Sequence, residues 1–239
     1  MPLHFSGRIF SALLLAGALL TGCDNSDKNN YSIKVGVING AEQDVAEIAK
    51  KSRKRTIWLR GGIGEFQWFF DYRNDPTANK ELDANVFQHR PFLAQDNQSR
   101  GYNFSGCGQY NLLFPMAGYS TKIKHPSELK TGDTIAVPND PTNLGRALLL
   151  LDKEKLLTLK PNNGLLPTAI DIIDNPLKLK IMELEGAQLP RVLNDPKVTV
   201  AIISTTYIQQ INLSPTKDSI FIEDKKLSLH QYYCDKRRQ

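Results

Sequence analysis

Short apolar runs that alternate with helical stretches limit what this chain can become. Ser32 to Asn39 (SIKVGVIN) is rich in β-branched residues and closes on the turn signal Asn39-Gly40. Thr134 to Pro138 (TIAVP), Leu179 to Leu184 and Thr199 to Ser204 (TVAIIS) read as further strands. Runs that are apolar at nearly every position, rather than at every second one, suit strands buried on both faces. Between them lie helical patterns. Glu42 to Lys51 sets Val45, Ile48 and Ala49 on one face, Asn143 to Leu157 is a long apolar helix, and Thr205 to Asn212 reads as another. Alternation of this kind predicts an α/β architecture, each sheet mostly parallel and flanked by helices.

The first 30 residues stand apart from that pattern. Arg8 and the N-terminal amine form a basic start, and Ile9 to Leu20 is apolar but too short to span a bilayer as a helix. Leu20-Thr21-Gly22-Cys23 then reads as the lipobox of bacterial lipoproteins. Residues 1–22 are expected to be a removed signal peptide and Cys23 the lipidation site. Three acyl chains on one cysteine bury enough methylenes for stable anchoring. Residues 23–30 continue as a polar tether without apolar period. Asp24 favours retention on the periplasmic side of the inner membrane, with the outer membrane as the alternative.

Beyond the tether roughly 210 residues remain, enough for one large or two small domains. With Cys23 lipidated, Cys107 and Cys234 are left, and their spacing argues for no particular pairing. The net charge of +5 arises mainly from Lys50 to Arg60 and Lys236 to Arg238. Neither cluster has the aromatic interleaving of a nucleic-acid binder, so no nucleic-acid partner is expected. No G-x-S-x-G, H-E-x-x-H, CxxC or Walker pattern occurs. The chain is therefore expected to be no enzyme and to need neither cofactor nor metal.

Longer phrases carry a resemblance. Lys34 to Ile38 with Gly40 to Gln43, Glu81 to Pro91, Ala117 to Ser120, Val137 to Leu150, Gly164 to Thr168, and Gln188 to Arg191 are each similar to the NlpA/MetQ lipoproteins. That family supplies the methionine-binding components of ABC importers. The resemblance implies a two-lobed periplasmic solute-binding fold, with residues 31–111 and 221–239 as lobe one and 112–220 as lobe two. It also implies capture of methionine, D- or L-, between the lobes by hinge closure, and delivery to an inner-membrane ABC permease. The alternative is a surface or outer-membrane lipoprotein of the same fold that acts as an antigen or interaction protein.

Candidate binding residues follow from the chemistry of an amino acid. Arg146 sits in the first turns of a helix whose start is set by Pro141 and Asn143. There a guanidinium can grip a carboxylate bidentately, helped by free helix N–H groups. Phe87 and His89 lie two apart and share a face of an extended segment. The resemblance gives them an aromatic contact to the ligand side chain and an imidazole contact to its polar atoms. Ser204 stands where the family phrase N-T-T-Y has asparagine, and a hydroxyl offers one donor where an amide offers two. Asn143 beside Arg146 belongs to the expected set, and the resemblance implies a cleft tyrosine at Tyr72.

Three stretches match nothing in the family: Arg55 to Phe66, Phe104 to Tyr110 and Leu227 to Gln239. Plausible codons read in the neighbouring frame turn each into family-like text, for the first an alternating E-V-E-L-V strand. Compensated frameshifts are therefore expected, with a terminal one that truncates the C-terminal part. The glycines of Arg60 to Gly64 are expected to make a poor strand.

Overall fold

The computed structural model describes residues 31–51, 58–59, 62–69, 74–107, 113–161, 164–224 and 231–236. The signal and tether, Cys23 and Asp24 among them, lie outside the described residues, as does Tyr72. Among the described residues no helix is long and apolar enough to cross a membrane.

Two sheets organise the chain. The first takes β1 (Tyr31–Val37), β2 (Trp58–Leu59), β3 (Gly62–Phe69), β4 (Ala84–His89) and β5 (Phe104–Cys107). The second takes β6 (Met116–Tyr119), β7 (Thr134–Pro138), β10 (Lys180–Leu184), β11 (Val200–Ser204) and β12 (Phe221–Ile222). A small hairpin of β8 (Thr158–Leu159) and β9 (Ile172–Asp174) sits beside the second. The last described strand, β13 (Gln231–Lys236), returns to the first sheet and lies between β4 and β5. The helices are α1 (Ala41–Lys51), α2 (Asp75–Ala78), α3 (Arg90–Arg100), α4 (Pro141–Lys153) and α5 (Thr205–Ile208).

Most strands of each sheet run the same way, as expected, and reversed strands make each sheet mixed: β2 and β13 in the first, β6 in the second. β1 pairs parallel with β3 and β4, whereas β13 runs antiparallel to both β4 and β5. In the second sheet β7 pairs parallel with β10 and β11, whereas β6 runs antiparallel to β11 and β12. Phe221 and Ile222 thus hydrogen-bond into the second sheet, and the next described strand, from Gln231, lies in the first.

The apolar runs are buried on both faces, as their composition requires. Along β11, Val200 and Ile202 point into a core with Ile135, Val137, Leu148 and Leu151. Ala201 and Ile203 point the other way, onto Tyr119, Leu189, Leu193 and Ile208.

Three local expectations are corrected. β3 forms across the glycine-rich segment and stays in register with β1 from Tyr31↔Gly64 to Gly36↔Phe69. A glycine packs no side chain, yet it still supplies the N–H and C=O that a ladder needs. On α1 the buried positions are Glu42 and Ala46, while Ile48 is 68% exposed. The helix turns that pair toward β1 and the opposite lobe. Helix α4 starts at Pro141 and ends at Lys153, four residues short of Leu157. Lys155 adopts φ +59°, and Leu156 and Lys155 donate back to the carbonyls of Leu151 and Asp152. This is a Schellman closure made without glycine, so the sequence carries no stop signal there.

Candidate functional site

A cleft of about 620 Å³ opens between the two sheets. Its walls are the C-terminal ends of β4, β7 and β11 and the helices that follow them, the usual location for a ligand in open α/β sheets. The lobes touch beside it. Thr206 donates from Oγ1 to Glu42 Oε1 at 2.6 Å, and Gln210 Nε2 donates to the Asn39 carbonyl at 2.7 Å. Gly40 makes this approach possible. It sits at φ +138°, and a Cβ there would lie 2.6 Å from the Thr206 carbonyl oxygen.

The second-lobe wall is built around α4. Asp140 is its N-cap: Oδ1 accepts from the Asn143 N–H at 2.9 Å and from the Thr142 hydroxyl at 2.9 Å. The expectation of free helix N–H groups for a ligand is therefore corrected, since a carboxylate of the chain occupies the helix end. Asn143 and Arg146 stand three apart and share a helix face.

Arg146 is 7% exposed, and its donors can be counted. Nε donates to Glu223 Oε1 at 3.1 Å, and Nη2 donates to Glu223 Oε2 at 2.7 Å and to the Phe114 carbonyl at 3.1 Å. Nη1 donates to Asn143 Oδ1 at 3.1 Å. Of the five N–H groups of a guanidinium, one on Nη1 is left for a ligand. The bidentate face is taken by Glu223.

The first-lobe wall ends at His89, which lies 6% exposed and caps α3. Its Nδ1 accepts from the Phe92 N–H at 3.1 Å, which puts the ring proton on Nε2. Nε2 then donates to Asn143 Oδ1 at 3.1 Å, a hydrogen bond from one lobe to the other. Burial, and after it the Arg146 charge, lowers the imidazole pKa to about 4, so the ring is neutral at neutral pH. Both ring nitrogens are thus engaged within the protein. Phe87 also lines the cleft, edge-on to Phe92 with ring centroids 5.8 Å apart.

Five of the expected residues therefore converge: Phe87, His89, Asn143, Arg146 and Ser204. The Ser204 hydroxyl makes no hydrogen bond to the protein among the described residues and faces the cleft. Tyr72 lies outside the described residues.

Three features escaped the sequence reading. Glu223 is one, and Asp140 is another, although an aspartate directly before a proline is a recognisable helix start. The third is an amide network under the first-lobe wall. Asn74 Nδ2 donates to Asp96 Oδ2 at 2.6 Å and to Gln88 Oε1 at 3.1 Å. Asn85 and Gln88 both donate to Asn74 Oδ1, at 2.9 and 2.7 Å. All four side chains are buried, and Arg100 Nε closes the outer end on Asp96 Oδ1 at 2.9 Å.

Comparison with known proteins gives consistent results. The family model described as NlpA lipoprotein matches residues 33–234. The protein named Lipoprotein 28 from Escherichia coli O157:H7 is 65% identical over 218 residues, covering 91% of this chain and 79% of that protein. The D-methionine-binding lipoprotein MetQ of Salmonella typhimurium is 49% identical over 225 residues, covering 92% of this chain and 82% of that protein. Among solved structures, a nutrient-binding protein from Burkholderia cenocepacia bound to methionine superposes with a TM-score of 0.75 at 39% identity. That match covers 85% of this chain and 84% of the other.

Proposed function

The chain belongs to the NlpA lipoprotein family, and from that premise we propose that it captures methionine in the periplasm for an ABC importer. Its fold is that of the two-lobed periplasmic binding proteins. In this reading Cys23 carries the lipid that holds the protein at the membrane, on the inner membrane because Asp24 follows. The family is one of substrate-binding proteins, and no catalytic step is assigned to this chain.

The observation that carries the reading is the orientation of Arg146. A buried guanidinium faces an interlobe cleft with one Nη1 N–H uncommitted. A ligand carboxylate placed there gains a charge-assisted hydrogen bond in a water-poor site. The Ser204 hydroxyl faces the same space as a second polar contact. Phe87, Phe92, Phe114, Met116 and Leu189 supply an apolar lining for a flexible thioether tail. Polar and apolar lining in a single cleft match an amino acid with an unbranched apolar side chain.

Calorimetric titration of the soluble domain against the standard amino acids tests this. Methionine is expected to bind with one site per chain and more tightly than the others. Equal or absent heats for all of them contradict the reading.

A further inference from the structure

We propose that Glu223 is a positioning residue for ligand recognition, which fixes the guanidinium of Arg146 so that a single N–H meets the ligand carboxylate. This rests on the reading of Arg146 as the carboxylate anchor.

Glu223 lies just past β12 and is itself held on two sides. Its N–H donates to the Met116 carbonyl at 2.9 Å, and the Met116 N–H donates to its Oε2 at 3.0 Å. The carboxylate is thus fastened to β6 before it meets Arg146. It then receives Nε and Nη2 as a fork, at 3.1 and 2.7 Å, with both side chains buried. Because a guanidinium is planar, a grip on the Nε–Nη2 edge also sets the direction of Nη1. Asn143 Oδ1 takes one Nη1 N–H, and the other direction is left over.

The pair also offsets the charge that Arg146 brings to the site. A lone buried arginine would attract any small anion and would be costly to hold in the fold. Paired with Glu223, Arg146 offers direction without net positive charge. The cleft is then matched to a neutral zwitterion whose carboxylate arrives along Nη1, and not to anions in general.

Glu223→Gln preserves shape but puts an NH₂ group where an acceptor was. At either position that NH₂ faces an Arg146 N–H, and at the Oε2 position the Met116 N–H as well, donor against donor, so the fork cannot form. The test compares two ligands, methionine and methioninol, the latter having no carboxylate. Glu223→Gln is expected to weaken methionine by about tenfold or more, the scale of a lost contact to a charged group, and methioninol by less than about threefold. Their affinity ratio therefore shrinks. Glu223→Asp keeps the charge but retracts it by one methylene, and it is expected to move the ratio in the same direction by less. That second variant keeps the test decisive should the glutamine variant fail to fold. Parallel losses for both ligands, or unchanged methionine affinity, overturn the proposal, because a purely structural role moves both ligands together. Wild-type protein that binds neither ligand would instead bring down the underlying reading of the cleft.

Discussion

The two walls of the cleft are built on different principles. The first-lobe wall is a closed hydrogen-bonded set, tied at its outer end to the Asp96–Arg100 ion pair. His89 has both ring nitrogens engaged, and Asn74, Asn85 and Gln88 bond one another beneath it. The second-lobe wall carries charge and leaves donors open, through one N–H of Arg146 and the hydroxyl of Ser204. A satisfied buried network gives shape, because each member is costly to move. An unsatisfied group in the same cleft gives recognition, because only a ligand completes it. Under the proposed function the first wall would set where a ligand lies, and the second which ligand stays.

The largest expected effect falls on the second wall. Arg146→Ala should weaken methionine binding by roughly 2 to 5 kcal/mol, since it leaves Glu223 buried without its partner as well as removing the anchor. Calorimetry on the folded variant measures this. Near-wild-type affinity would mean that the second wall does not hold the carboxylate.

The first wall should show itself as a dependence of stability on pH. The folded state keeps His89 neutral down to about pH 4, whereas the unfolded chain takes up the proton near 6.5. The contribution is thus fully present above about pH 6.5, declines as pH falls, and levels off below about 4. The span of two and a half units corresponds to about 3 kcal/mol. His89→Asn keeps a cap for α3 but cannot titrate. Denaturant unfolding at both ends of this range should show that the variant loses about 3 kcal/mol less than wild type on acidification. Identical losses would remove His89 from this role.

The smallest effect concerns Ser204. Ser204→Asn extends a second donor into the cleft and should tighten methionine by about 1 kcal/mol, roughly fivefold. A loss of affinity would show that the space beside Ser204 is filled by the ligand itself.

What the sequence disclosed follows the range of the interactions. Val137 to Leu150 was legible because its information is local: a buried strand, a proline at the helix start, and a long apolar helix that carries Asn143 and Arg146. Phe87 and His89 were legible through the family resemblance, and their spacing on a strand added only that they share a face. Glu223 was not, because its tie to Arg146 spans 77 residues and no periodicity marks it. The amide network stayed hidden for the same reason, since Asn74 and Asn85 look like turn residues until β4 and α3 bring them together. The end of α4 was misjudged because Lys155 takes a conformation that glycine usually announces. The period of α1 set Val45, Ile48 and Ala49 on one face, but the helix is buried instead through Glu42 and Ala46, and Glu42 meets the other lobe.

The central claim is that methionine is held between these two walls, with Arg146 as its anchor. Thermal unfolding of the soluble domain across a methionine series tests it most directly. Wild-type stability should rise with concentration by RT ln(1 + [L]/Kd) and carry the midpoint up with it, while a folded Arg146→Ala variant stays nearly flat over the same range. A wild-type midpoint indifferent to methionine, or a variant that climbs in step with wild type, would contradict the account.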